Sequence, residues 1–336
     1  VFKTIGLQRK LPKERKRFLN QLHVIMEKYQ NYDYTKMSPK EIVEKYHHFE
    51  TALLLKWKAP LINDFFAMIW FGMLQKKTAK LCPEQPNIHN DLLCGSQDII
   101  SVEPIHRSMD IARCILENKE CETLFKESKA KEIWLALNAG SFPKVKAQID
   151  EYIKLFGNRC VGELKLETIS YEQDPTLFVN IIKSYVIQGI TKRSGNLNIE
   201  GDLRSKAENE INKKLKRRPL KKWWFYYILN KARDLVSNRE NLRYERTRGF
   251  GMVRRMFSAL GDKLASQGLI ENSRDVFYLE LEEVLSLKNT EFNLEFADNI
   301  KKRKSEFANY EKQANPEERF FTYGNNFTDE YIYSKE

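Results

Sequence analysis

The chain has 336 residues, 42% hydrophobic and 31% charged, ordinary for a globular protein and enough for one large domain or two. The net charge of +11 is local, because Thr191 to Arg255 holds 19 Lys and Arg against 7 Asp and Glu while the remainder is close to neutral. No run reaches the roughly 18 apolar residues of a membrane span, and five cysteines without metal-ligand spacing suit a reducing compartment rather than a disulfide framework. A start at Val1 without methionine reads as a piece of a longer protein.

Few Gly and Pro, with many Lys, Glu, Leu and Asn, make the expected fold class all-α. Leu7 to Arg17 is basic with one proline and reads as a lead-in turn, with a helix over 13–29. Ser38, Pro39 and Glu41 predict an N-cap, a first helical residue and a capping-box partner. That helix is expected to continue to Lys58, where Pro60 interrupts. Asn63 to Gln75 follows as a nearly all-apolar, buried helix, with Asn63 and Asp64 as polar caps at its start. Cys82 to Cys94 reads as a loop. Helices are expected over 99–118, 121–137, 143–156 and 176–188, with Asn138 to Ser141 as a stop and cap.

Phe156 to Pro175 has no helical period. A solvated helix is expected over 200–222, ending near Pro219. The aromatic cluster Trp223 to Tyr227 opens a long helix, and Gly268 marks a turn after it. Phe277 to Leu279 reads as a short extended piece, followed by helices over 280–287 and 291–313. The organisation is therefore a helical domain over 1–315 and a hairpin or linker over 316–336, around Gly324-Asn325-Asn326.

The long helix is organised by arginines. At about 100° per residue, Arg239, Arg243 and Arg246 fall within about 60° of one another, in phase with Phe250, Val253, Phe257 and Leu260. Arg254 lies about 60° from Arg239 by the same count. They continue the apolar stripe rather than oppose it, so their guanidinium groups are expected to point partly inward, where charge needs a partner. Arg248 and Arg255 fall opposite and read as solvated. Internal carboxylates, Glu163, Glu240 or Glu245, are one set of partners, and a bound anion is the other. A nucleic-acid surface is a third reading, since Trp223, Trp224 and Tyr226 lie nearby, and a non-catalytic basic module for nucleic acid or an acidic protein is the rival function.

Gly157-Asn158-Arg159-Cys160-Val161-Gly162-Glu163 brackets an arginine with glycines, which lets backbone approach a ligand while the guanidinium offers a planar fork. A turn with an internal Arg–Glu pair explains it equally well. The five histidines show no zinc spacing, and no phosphate-cradling glycine loop or nucleophile elbow is present.

Five blocks carry a family resemblance: Lys56 to Phe65, Ile99 to Pro104, Phe156 to Leu164, Arg239 to Tyr244 and Asp275 to Leu279. In this order they resemble the central helical domain of the rifampicin phosphotransferase and phosphoenolpyruvate-synthase-like group, related to pyruvate phosphate dikinase. In that group an ATP-grasp domain phosphorylates a histidine on a swivelling domain, which delivers the phosphoryl group to an acceptor on the helical domain. The resemblance implies a cytoplasmic, Mg-ATP-dependent phosphotransferase, of which this stretch is the part that binds a small-molecule acceptor. It implies no cofactor in this piece alone. The expected partners are the acceptor and the ATP-grasp and phosphohistidine domains of the same polypeptide, with no membrane and with nucleic acid disfavoured.

Arg239 matches a family arginine near the transferred phosphoryl group, and Arg243 stands where the rifampicin enzymes have a lysine. The pair is thus the expected catalytic set. Arg159, Glu163, Arg246, Glu240, Asn63 and Asp64 are the expected substrate- and phosphate-binding set, without a metal. The pyruvate-binding barrel of true phosphoenolpyruvate synthases is not supplied by this helical pattern.

Overall fold

The computed structural model describes residues 2–94, 103–159, 162, 164–190, 196–288 and 294–315. Glu163, Cys160 and the expected 316–336 hairpin lie outside the described residues. Among those described the fold is all-α: α1 Phe2–Gln30, α2 Pro39–Ala52, α3 Lys58–Leu81, α4 Ile88–Asp91, α5 Glu103–Leu116, α6 Lys119–Glu127 and α7 Ala130–Asn138. There follow α8 Pro143–Phe156, α9 Pro175–Gln188, α10 Asn196–Leu215, α11 Pro219–Ser266, α12 Leu281–Ser286 and α13 Leu294–Tyr310.

The spine is α11, 48 residues long, roughly 70 Å at about 1.5 Å per residue. Its first half buries Phe225, Ile228, Leu229 and Ala232 against Phe66, Trp70 and Leu74 of α3 and Ile211 and Leu215 of α10. Its second half buries Met256, Phe257 and Leu260 in a separate core with Leu22 and Met26 of α1, Phe49 of α2 and Val276. A third core, around Ile115, Phe125, Ile149 and Phe178, joins α5 to α9 and meets the spine at Tyr244. No residue from Val236 to Asn241 is buried. The spine is therefore only half-buried along this stretch, between these two cores, with Arg239 exposed.

Local chemistry explains the helix limits. Ser38 and Glu41 form the expected capping box at α2, the Ser38 amide donating to Glu41 Oε2 at 2.8 Å. Asn118 caps α6 and Asp174 caps α9. Gly261 lets the 3-10 turn Ser273–Tyr278 pack onto the spine, where a Cβ would lie 2.0 Å from the Ser273 carbonyl oxygen.

Several expectations are corrected. Leu7 to Arg17 is helical, with Pro12 inside α1. The expected helix over 121–137 is two, because Ser128 and Lys129 are extended. The 82–94 loop contains the single turn α4. Phe142, at φ 51°, is the N-cap of α8 in place of Ser141. Pro219 opens α11 rather than closing α10, since a proline in the first turn loses no hydrogen bond. Phe277 and Tyr278 end a 3-10 turn, and only Leu279 is extended. Nor is α3 wholly buried: Leu61, Phe65 and Met68, 64%, 55% and 70% exposed, form a stripe opposite the spine.

Candidate functional site

The half-buried stretch of the spine faces the first turns of α3. Because α3 begins at Lys58, with Pro60 accommodated in its first turn, Asn63 and Asp64 lie inside the helix and cap nothing. Asn63 is fully buried and pins α3 to the spine: its Nδ2 donates to the Leu235 carbonyl at 3.0 Å, and its Oδ1 accepts from Arg15 Nη1 at 3.2 Å. Arg15 also grips Asp234, at 3.2 Å.

Asp64, one residue on, is half-buried and lies within electrostatic reach of Arg239, Arg246 and Glu240. Burial raises its carboxyl above the ordinary range. The Arg239 charge, a hydrogen bond with Asn63 and the Arg246 charge oppose that rise, while Glu240 adds to it. Four of the expected binding residues and one of the expected catalytic pair are thus brought together where α3 meets the spine.

The arginines do not all point inward as their phase suggested. Arg239 and Arg243 are exposed, and Arg246 is half-buried. The spine there buries Leu242, Glu245 and Thr247, but the side that carries Arg239 and Arg243 is open to solvent. Arg243 lies 4.0 Å from Glu240, a loose contact with a 64% exposed side chain. The Arg246 Nε is buried and has no hydrogen-bond acceptor among the described residues. A buried guanidinium donor without an acceptor is costly.

The expected solvated pair is also corrected. Arg248 donates to Glu245 at 2.9 Å, and that carboxylate is buried and lies 3.3 Å from His23 Nε2. Arg255 donates to the Gln30 carbonyl and lies over the Tyr34 ring.

Arg254 is the arginine that goes fully inside, at 1% exposure. It donates to the carbonyls of Lys165 at 2.8 Å, Asn158 at 3.2 Å and Leu166 at 3.3 Å. Gly251 permits the same approach, since a Cβ there would sit 2.6 Å from Asn158 Cβ. The loop after α8 is therefore clamped to the spine. It is closed on its other side by the Tyr171 amide, which donates to the Arg159 carbonyl, and the Glu172 amide, which donates to that of Gly157. Arg159 itself is half-buried, and its charge acts on Tyr152 and Tyr244. Burial, opposed by Ser108 and Arg159, pushes the Tyr152 hydroxyl up to about 12. The sequence linked this loop to the spine only through Glu163 as a candidate partner of the arginines, and the Arg254 clamp was missed. The signal was there: Arg254 is flanked by Val253, Met256 and Phe257.

Together, α3 and the spine present a carboxylate among guanidinium groups beside an exposed apolar stripe. Such a surface can hold an anion and orient a hydroxyl. The segment from the first turn of α3 to Glu240, residues 58–240, matches the family model of the rifampicin phosphotransferase fourth domain. The chain belongs to that family. It is 24% identical over 186 residues to the rifampicin phosphotransferase of Bacillus cereus, covering 52% of this chain and 20% of that protein. It is 28% identical over 185 residues to the rifampicin phosphotransferase of Bacillus subtilis, with the same coverage of each. The chain thus spans about a fifth of the length of the curated relatives it matches. The match ends at Glu240, so Arg243, Arg246 and Arg254 lie beyond it, while the carbonyls that Arg254 holds lie within it.

Among the described residues no group of His, Cys, Asp and Glu has the arrangement of a metal site, and no helix is long and apolar enough to cross a membrane.

Proposed function

We propose that this chain is the acceptor-binding part of a multidomain, Mg-ATP-dependent phosphotransferase, receiving a phosphoryl group from a phosphohistidine domain of the same polypeptide in the cytoplasm. The observation that carries this reading is that half-buried Asp64 lies within electrostatic reach of Arg239 and Arg246, and that the Arg246 Nε is buried without an acceptor among the described residues. The exposed stripe Leu61, Phe65 and Met68 supplies an apolar seat for the body of the acceptor.

Transfer breaks the phosphorus–nitrogen bond of the phosphohistidine and forms a phosphorus–oxygen bond to an acceptor hydroxyl. Asp64 takes the hydroxyl proton. Arg239 and Arg246, with Arg243 at the exposed edge, neutralise the phosphoryl oxygens, and such positioning and charge balance dominate phosphoryl transfer. Arg159, whose charge reaches Tyr244 of the spine, is assigned with Glu163 to binding the transferred group.

In the full-length polypeptide, Arg239→Ala should lower turnover roughly 100- to 1000-fold and change acceptor affinity far less. Lys131→Ala, exposed on α7, should be silent. Unchanged turnover in folded Arg239→Ala protein would remove the arginine from the site, and ATP turnover by this chain alone would overturn the reading of it as an acceptor part.

A further inference from the structure

The corner between α10 and α11 carries a feature that phosphoryl transfer does not use. Nine consecutive residues, Lys216 to Trp224, are exposed. Within them and just beyond, Leu220, Trp223, Trp224 and Tyr227 recur at i, i+3, i+4 and i+7 on the first turns of α11. They form one helical stripe of about 100° that faces solvent, with Leu220 83% and Trp223 67% exposed. An exposed stripe of this kind on a helix of a globular protein calls for a covering partner.

Charge identifies the kind of partner. Lys216, Arg217, Arg218, Lys221 and Lys222 are exposed around the stripe. The sequence has no Asp or Glu between Glu210 and Asp234. Those nearest the corner are occupied: Glu210 pairs with Lys213 and Glu84 with Lys214, both at 2.8 Å. The surface is therefore cationic and apolar at once, and its partner is anionic and apolar at once.

The ring geometry separates lipid from nucleic acid. Trp224 and Tyr227 are stacked at 5.5 Å and 14°, and Trp223 and Tyr227 at 6.0 Å and 20°. Rings stacked on one another offer few open faces to bases, which single-strand binders require. The most exposed apolar residue, Leu220, has no ring to stack at all. Lys231 lies 5.9 Å from the Tyr227 ring centroid, leaving its ammonium at the edge of the stripe. Tryptophan, tyrosine and leucine rimmed by lysine and arginine is the composition of a helix face that lies in a membrane interface.

We infer that the α10–α11 corner is a docking surface for an anionic phospholipid membrane, with Leu220 and Trp223 entering the headgroup region and the flanking cations meeting lipid phosphates. This is peripheral contact at the surface of the bilayer, with no helix crossing it.

The test is sedimentation of the 336-residue chain with vesicles of phosphatidylcholine alone, or with about 30% phosphatidylglycerol added. Anionic vesicles should bind at least about tenfold more tightly than neutral ones at low salt, and about 0.5 M salt should abolish most of the difference. Leu220→Ala with Trp223→Ala should lower anionic-vesicle binding at least about fivefold, as should Arg217→Ala with Arg218→Ala. Leu135→Ala, an exposed apolar position on α7, should leave it unchanged. Far-UV circular dichroism identifies any variant that fails to fold, and the native chain's anionic preference stands as a test without them. Equal binding to both vesicle types, or native-like binding by folded variants, would overturn the proposal. So would tighter binding to a single-stranded oligonucleotide than to vesicles, lost in the same variants, which would assign the corner to nucleic acid.

Discussion

Arg254 Nη2, buried in the second half of α11, donates to the main-chain oxygen of Lys165 at 2.8 Å. With the bonds to Asn158 and Leu166, one guanidinium ties the loop after α8 to the spine at three points. Arg254→Met should destabilise the chain by about 1–3 kcal/mol, because it removes three charge-assisted hydrogen bonds to the loop carbonyls. Arg254→Lys should recover little, since a point ammonium cannot reproduce a planar fork. Urea unfolding of the three proteins measures this, and native-like stability of the lysine variant would show that one bond does the clamping.

Two helical glycines, two residues apart, should respond in opposite directions. Gly251→Ala places a Cβ 2.6 Å from Asn158 Cβ and should cost about 1–3 kcal/mol through overpacking. Gly249→Ala meets only Leu54 Cδ2, at 3.8 Å, an ordinary contact. It should be neutral or stabilise by about 0.5–1 kcal/mol, the usual gain of Ala over Gly inside a helix. Thermal melts of the two variants decide it, and equal shifts would mean the loop gives way easily.

Asp64 connects stability to pH. Burial first, with Glu240 adding to it, raises its carboxyl against the pull of Arg239 and Arg246. The native state thus holds this proton to higher pH than the unfolded chain, whose aspartates titrate near about 4. Stability from this group is present below that pH and is lost as pH rises through the native value. Asp64→Asn should therefore be more stable than the native chain at neutral pH, with the difference closing below pH of about 4. Urea midpoints at both pH values measure it. A destabilised variant at neutral pH would mean that the arginines hold this carboxylate as an internal ion pair, which argues against a binding role.

Glu245 is a buried carboxylate that depends on its neighbours. Arg248→Ala leaves it only His23 among the described residues, at 3.3 Å, and should cost about 1–3 kcal/mol. Adding Glu245→Gln should return part of that loss by removing the stranded charge. Denaturant unfolding of the single and double variants, compared as a cycle, gives the coupling. Additive losses would show that the pair is not coupled.

The all-α class, the arginine helix, the Ser38–Glu41 cap and the α8 limits were legible in the sequence, because each rests on local chemistry: backbone propensity, side-chain caps and a 3.6-residue period. The helix breaks at Ser128 and after Ala52 were less so, since no proline or glycine marks them. Local reasoning also placed Asn63 and Asp64 at a helix start, where the folded chain has them one turn inside, against the spine. Phase put Arg239, Arg243, Arg246 and Arg254 on one side of α11, and that was correct. Which of them is buried was decided by what packs opposite. Arg254 meets the 158–166 loop and disappears, whereas Arg239 meets the gap between two cores and stays exposed. Periodicity reports the direction of a side chain. Burial and charge pairing depend on a second segment, here 88 to 225 residues away in sequence for the contacts of Arg254 with its loop and of the spine with α1, and only the tertiary structure brings that segment into place.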